Sequence, residues 1–287
     1  MRRLLFAAVA FALTGCALSR PVAVAQSRPA PPPYRILISN DDGVRAPGIA
    51  AVAQVLQAIG DVIIVAPSEN QSGKGHSIVT SDPVYREDLT LPNGLRAIGL
   101  STTPASTVNI AIRNIVQPKP DLVVSGINRG YNLAYSVYLS GTTGAAREGV
   151  LHGIPAIAAS LSEAAAPRDF VAAAEEVLGV ARRVKQYGLP PGTFLNVNIP
   201  GVPPGGYKGY RVTTQARAKS GNERFEEVKH PGSGRTIYWN VFQESAGGLE
   251  GTDAWAVEQG YVSVTPMKVG EDDPSQMETW RRLFQQQ

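Results

Sequence analysis

The chain is short of the residues that redox and transition-metal chemistry uses most. Among its 287 residues there is one cysteine, Cys16, and three histidines, His76, His152 and His230, in unrelated surroundings. One thiol excludes an internal disulfide framework. Three scattered imidazoles leave a thiolate or His-rich zinc site without ligands. No apolar run approaches the ~20 residues a membrane-spanning helix requires. Familiar nucleotide and acyl-transfer signatures are missing as well. No G-x-G-x-x-G follows the first strand-like segment, which removes support for a classical dinucleotide fold. The Gly-Lys of "NQSGKGHS" makes no P-loop, because Ser68 stands where that motif needs Gly and Gly75 where it needs Ser or Thr. No G-x-S-x-G nucleophile elbow is present. Charge of one sign is scarce too. Lys and Arg number 27 against 24 acids, a net +3 with no dense basic stripe, so attraction to nucleic-acid polymers is not a general surface property.

What is present begins with a targeting pattern. Arg2 and Arg3 precede the apolar stretch 4–13, the charged and apolar regions of a secretory signal. "LTGC", residues 13–16, resembles a bacterial lipobox, in which the cysteine becomes the lipidated first residue. Ala23-Val24-Ala25 offers a competing A-x-A cleavage site. The expectation is an exported, periplasmic chain anchored to the membrane only through Cys16, with residues 17–33, ending in "PAPPP", as a Pro/Ala linker. Without Arg2 and Arg3 the net charge is about +1.

After Pro33, short apolar runs alternate with segments of helical period. "YRILIS" (34–39), "DVIIVAP" (61–67), a run near 94–100, "DLVVSG" (121–126), "PAIAAS" (155–160) and "TFLNVNIP" (193–200) read as strands. Residues 46–60, 104–116, 142–153 and 167–188 read as helices. Pro47 suits the first turn of its helix and Gly60 the stop. Continuous Ile/Val/Leu runs separated by helices predict a Rossmann-like α/β core over 34–200, a parallel sheet with helices on both faces. Residues 201–287 lose this alternation. They predict a hairpin turning at 232–234, a strand near 261–265 and a short C-terminal helix, together a β-rich extension suited to dimerisation.

Ligands of open α/β sheets bind beyond the carboxyl ends of the strands. Three polar, glycine-bearing loops follow three of the predicted strands: Asn40-Asp41-Asp42-Gly43, "SENQSGKGHS" (68–77) and "GINRGYN" (126–132). Adjacent carboxylates repel, unless a cation sits beside them. The oxygen donors Asp41, Asp42, Ser72 and Asn128 favour Mg²⁺, Mn²⁺ or Ca²⁺ over zinc. Ser140, Gly141 and Thr142 open a predicted helix, whose free N–H groups suit a phosphate.

"ILISNDDGVRAPGI", "IVAPSENQSG", "PDLVVSGINRGYNL", "YSVYLSGTTGAAREG" and "GTDAWAVEQGYVSVTPM", taken in order from about Arg35 to Met267, resemble the SurE family of survival-protein 5′/3′-nucleotidases. The resemblance implies a metal-dependent phosphomonoesterase of nucleoside monophosphates, with a C-terminal extension exchanged between subunits of a homodimer or homotetramer. It implies metal ligands at Asp41, Asp42, Ser72 and Asn128, catalysis at Asp41 and Asp42, and phosphate contacts from Asn132, Ser140, Gly141 and Thr142. The attacking group is a water or, alternatively, Asp41 itself, and His76 is a candidate proton donor to the leaving oxygen. Two features depart from the family pattern: Ser106 and Thr107 replace its usual Asp and Cys, and Leu139 follows an atypical "YSVY". A broad-specificity acid phosphatase and a non-catalytic nucleotide- or anion-binding lipoprotein are the competing readings.

Overall fold

The computed structural model describes residues 33–217, 221–244, 248–270 and 272–285. The expected signal, lipobox and most of the linker lie outside those residues. Along the chain run β1 (Arg35–Ser39), α1 (Pro47–Leu56), β2 (Asp61–Pro67), β3 (Arg86–Thr90), β4 (Arg96–Leu100), α2 (Pro104–Ile110), β5 (Leu122–Arg129), α3 (Gly141–Leu151), β6 (Ala156–Leu161), α4 (Asp169–Tyr187) and β7 (Thr193–Ile199). The remainder is β8 (Tyr210–Val212), β9 (Gly221–Lys229), β10 (Thr236–Glu244), α5 (Asp253–Glu258), β11 (Val262–Lys268) and α6 (Met277–Gln285). Among the described residues no helix is long and apolar enough to cross a membrane.

Nine strands form one sheet in the order β3-β4-β2-β1-β5-β6-β7-β11-β8. From β4 to β7 every neighbouring pair is parallel, while β3 and β11 pair antiparallel to β4 and β7. Alternation along β1 shows why both faces are covered. Ile36 and Ile38 enter a core with Ile49, Val52 and Leu56 of α1 and Phe170, Val177 and Val184 of α4. Leu37, between them, enters a second core with Val108 of α2, Val123 of β5 and Ala145 and Val150 of α3. A strand with apolar residues at successive positions can bury them only if helices lie on both sides. On α1, Ile49, Val52, Ala53 and Leu56 repeat at three to four residues, so they share the buried stripe. Truncating Leu56 to Ala would remove a wholly buried side chain, at about 2–5 kcal/mol.

The helix expected over 104–116 closes as an α-helix at Ile110 and continues as a π-helical turn, Ala111–Ile115. Residues after 200 divide between two places. β8 and β11 extend the main sheet, whereas β9 and β10 pair only with each other among the described strands, as an antiparallel hairpin.

β1 lies between β2 and β5, and the chain reaches these neighbours in opposite directions. The crevice beyond the carboxyl ends of β1 and β5 is therefore a topological switch point.

Candidate active site

β1 ends into that crevice. Asn40 and Asp41 are buried, at 0% and 3% exposure, and Asp42 is partly exposed. The turn after them requires Gly43, whose φ of +101° is hostile to a residue with a Cβ. Asn40 fixes it by donating from Nδ2 to the Gly43 carbonyl, 2.8 Å away. Its Oδ1 has no partner among the described residues although it is buried.

The loop after β2 reaches the same place. Gln71 N–H donates to the Asp41 carbonyl at 2.7 Å. The following Ser72 is exposed, and its N–H donates to Asn70 Oδ1 at 2.9 Å. From the end of β5, Arg129 N–H donates to Asp42 Oδ2 at 3.0 Å. Asn128 spends its Nδ2 on the Gly130 carbonyl at 2.8 Å, which commits its donors locally. The three loops thus meet at the two aspartates, joined through Gln71 and Arg129.

The start of α3 closes the site from the other side. Ser140 caps the helix, accepting from Thr143 N–H at 3.2 Å. Thr142, fully buried, donates its hydroxyl to Asp41 Oδ1 at 2.6 Å, and the Gly141 and Thr142 N–H groups also bond the Asp41 carboxylate. Gly141 is required for space, since a Cβ there would meet Asp41 Cβ at 2.7 Å. The anion that this helix terminus holds is accordingly a side chain of the protein itself.

Asn132, read from the sequence as a phosphate contact, sits one layer further in. It is buried, with Nδ2 donating to Thr142 Oγ1 at 3.3 Å and to Ser160 Oγ at 2.7 Å. Its main chain is held by β7: Asn132 N–H donates to Asn198 Oδ1 at 2.8 Å, and Asn196 and Asn198 donate to its carbonyl. Asn132 therefore supports Thr142, which supports Asp41. The signal for this layer was the alternation Asn196-Val197-Asn198 inside a buried strand, where polar side chains must be paired. His76 is likewise committed: its Nε2 lies 2.8 Å from Glu148 Oε2. Glu148, also missed from the sequence, takes a bond from Asn109 at 2.8 Å and stands 3.3 Å from His152 Nε2. Burial alone would raise the Glu148 carboxyl, but His76 and His152 together hold it below its ordinary value. Ser106, at a position where the family pattern is broken, accepts from Val79 N–H at 2.8 Å and from the Thr103 hydroxyl at 3.0 Å. It pins the tail of the loop that carries Ser72.

Electrostatically the pair of aspartates is under strain. Burial pushes the Asp41 carboxyl up, against the hydrogen bonds from Thr142 and Gly141. Burial, then repulsion from Asp41, pushes Asp42 up to about 6, with Arg129 opposing. Among the described residues no three His, Cys, Asp or Glu side chains cluster closely enough to share a metal. The candidate set has two carboxylates, and its other members are hydroxyl and amide oxygens. Two adjacent carboxylates, hydroxyl and amide oxygens on the adjoining loops, and the buried, unpartnered Asn40 Oδ1 are hard donors whose chemistry fits an oxygen-binding divalent cation.

Fold and site define a doubly wound α/β protein with an acidic, oxygen-lined centre at the switch point of its sheet. A sequence profile described as Survival protein SurE matches residues 36–222. The chain belongs to the SurE family. A 5′-nucleotidase SurE of Christiangramia forsetii is 42% identical over 237 residues, covering 81% of this chain and 90% of that protein. 5′-nucleotidase SurE 1 of Thermus thermophilus is 41% identical over 237 residues, covering 82% and 92%. The crystal structure of the Aquifex aeolicus SurE protein superposes with a TM-score of 0.74 at 37% identity, covering 87% of this chain and 99% of that one.

Proposed function

We propose that the protein hydrolyses nucleoside monophosphates to nucleoside and phosphate, using a divalent cation, Mg²⁺ or Mn²⁺, held by Asp41, Asp42, Ser72 and Asn128. The observation that carries this reading is the aspartate pair at the switch point, Asp41 buried and Asp42 partly so, two like charges opposed by Arg129. Relatives of nearly equal length that bear the name 5′-nucleotidase supply the reaction class.

A bound divalent cation would supply Lewis-acid stabilisation of the charge that builds on phosphoryl oxygens. The chain's own residues do the rest. Thr142 and the N–H groups of Gly141 and Thr142 hold the Asp41 carboxylate in one orientation, and Arg129 N–H does the same for Asp42. Holding acceptor oxygens fixed before the substrate arrives removes reorganisation from the reaction itself. Asp42 Oδ2, oriented by the Arg129 N–H, is the carboxylate oxygen that would accept a proton from an attacking water. His76 serves Glu148 and leaves the leaving oxygen to solvent or to the aspartates. Asn132 and Ser140 act behind Thr142, as the wall and the cap that keep α3 in register.

Two further proposals concern the ends of the chain. Residues 1–16 act as an export signal with Cys16 as a lipid attachment point in the periplasm, a reading supported by the basic, apolar and "LTGC" order. Residues 201–287 provide a subunit contact. In support, Phe225 and Tyr238 on one face of the β9–β10 hairpin and Trp239 on the other are 62, 67 and 65% exposed, aromatic area suited to burial in a second copy.

The deciding experiment is phosphate release from a panel of 5′- and 3′-nucleoside monophosphates and simple phosphate esters, with EDTA and with added Mg²⁺ or Mn²⁺. Release from nucleotides that EDTA abolishes and the cation restores is the expected result. Equal rates on all esters would establish a broad phosphatase, and binding without release a non-catalytic protein.

A further inference from the structure

Glu148 is a buried carboxylate that the proposed reaction leaves unused. It is nonetheless held from three directions. Asn109 Nδ2 donates to Oε1 at 2.8 Å from α2, and Arg113 Nε in turn donates to Asn109 Oδ1 at 2.7 Å. His152 Nε2 stands 3.3 Å from Oε1 at the end of the same helix, and His76 Nε2 lies 2.8 Å from Oε2. Against its burial, the two imidazoles keep this carboxyl below its ordinary value. An ionised carboxylate only accepts, so His76 is the donor of their bond. Of the three partners, only His76 belongs to the loop that carries Ser72.

α3 is shaped to receive that loop. Gly141, Gly144, Glu148 and His152 follow one another at three and four residues, so they share one stripe of the helix. Gly141 admits Asp41 at the start of the stripe. Gly144 admits the loop: a Cβ there would meet the Gly75 carbonyl oxygen at 2.3 Å and His76 Cα at 3.2 Å. From Gly141 to Glu148 the stripe runs about 10 Å. The loop is therefore fixed on both sides of its tip. On one side Gln71 N–H holds the Asp41 carbonyl. On the other, Gly75 N–H donates to the Leu139 carbonyl at 2.9 Å, and His76 reaches Glu148. Between these anchors Ser72, Gly73 and Lys74 are exposed. Asp41 and Ser72, two of the proposed cation donors, thus take their places from the same helix.

We propose that His76 and Glu148 are positioning residues for the cation site, a tether that sets where Ser72 stands relative to Asp41. The inference rests on the cation reading given above and goes beyond it, because two residues outside the donor set then govern how tightly the cation is held.

The test compares the full chain with three single variants. His76→Phe keeps a ring without its nitrogens. His76→Gln places an amide N–H near the position of Nε2. His152→Gln alters the other imidazole on Glu148 but breaks no link to the loop. Mn²⁺ affinity is measured by isothermal titration calorimetry, hydrogen exchange at residues 72–77 by mass spectrometry on the metal-free chain, and folding by circular dichroism. His76→Phe is expected to weaken Mn²⁺ binding by about tenfold, the lower end of what losing a partner behind a ligand costs, and to speed exchange at 72–77. His76→Gln should recover most of the affinity, and His152→Gln should leave both readings unchanged. An affinity unchanged in His76→Phe overturns the positioning role, whatever the exchange shows. A loss as large in His76→Gln or in His152→Gln does the same, since the ring itself or the charge balance of Glu148 would then be the cause. An unsubstituted chain that takes up no Mn²⁺ overturns the cation reading itself, and the positioning role with it.

Discussion

Asp253 is the first residue of α5, far from the aspartate pair in sequence, and its carboxylate is fully buried. Three main-chain N–H groups converge on it: Ala134 on Oδ2 at 3.0 Å, and Ala216 and Ala254 on Oδ1 at 2.9 and 2.8 Å. Ala134 lies two residues beyond Asn132, the residue that backs Thr142 and so Asp41. The carboxylate therefore ties the C-terminal part of the chain to the wall of the site. In Asp253→Asn one oxygen remains for two of the donors, while an NH₂ faces the Ala134 N–H, donor against donor. Losing a bond to a charged acceptor and stranding a buried N–H destabilises by about 2–4 kcal/mol. For a domain of this size that corresponds to a fall in Tm of roughly 4–16 °C. Asp253→Ala strands all three donors, each at about 1–3 kcal/mol, and is expected to be worse. Thermal unfolding followed by circular dichroism, on metal-free protein, measures both. Activity per folded molecule, read well below the transition, should also fall, because the Ala134 anchor is lost. An Asp253→Asn protein within about 0.5 kcal/mol of the unsubstituted chain, with normal turnover, would refute the clamp.

Asp41→Asn and Asp42→Asn should each abolish most phosphate release while leaving the unfolding transition within about 1 kcal/mol or raising it, since each relieves a buried like-charge pair; full activity in both would end the proposed chemistry. Because the Asp42 carboxyl is raised from 3.8 to about 6, the folded metal-free chain holds a proton that the unfolded chain releases. Its stabilising contribution, roughly 3 kcal/mol, is present below about pH 4 and is lost as pH rises through about 6. Titrated cation binding should run the other way, tightening as pH rises through about 6, and a pH-independent affinity would count against Asp42 as a ligand. Ala134 holds a φ of +49° without being glycine, so Ala134→Gly should leave stability unchanged or raise it by up to about 1 kcal/mol in urea unfolding, where an ordinary Ala→Gly change lowers it. Sedimentation should show a dimer or a higher even-numbered assembly at micromolar concentration, and a monomer there would remove the proposed subunit contact.

Much of this was legible along the chain. The doubly covered sheet follows from apolar runs too continuous for a half-exposed strand, and β2 occupies 61–67 as the pattern predicts. The hairpin likewise turns between β9 and β10 around 230–235. That the three polar loops meet is a consequence of parallel strands, whose carboxyl ends share one edge. Local pattern could not reveal which partner each polar group takes, because that depends on neighbours remote in sequence. Asn132 and His76 carry chemistry in many sites, and only the folded chain commits one to Thr142 and Ser160 and the other to Glu148. Edge strands of mixed character, β3 with its alternating exposure and the three-residue β8, have too little apolar run to announce themselves. The return of β11 into the main sheet was hidden for the same reason as the Asp253 clamp. Residues 119 positions apart meet at the clamp, β11 pairs with a strand well upstream of it, and sequence periodicity records which face of an element is buried, never what lies against it.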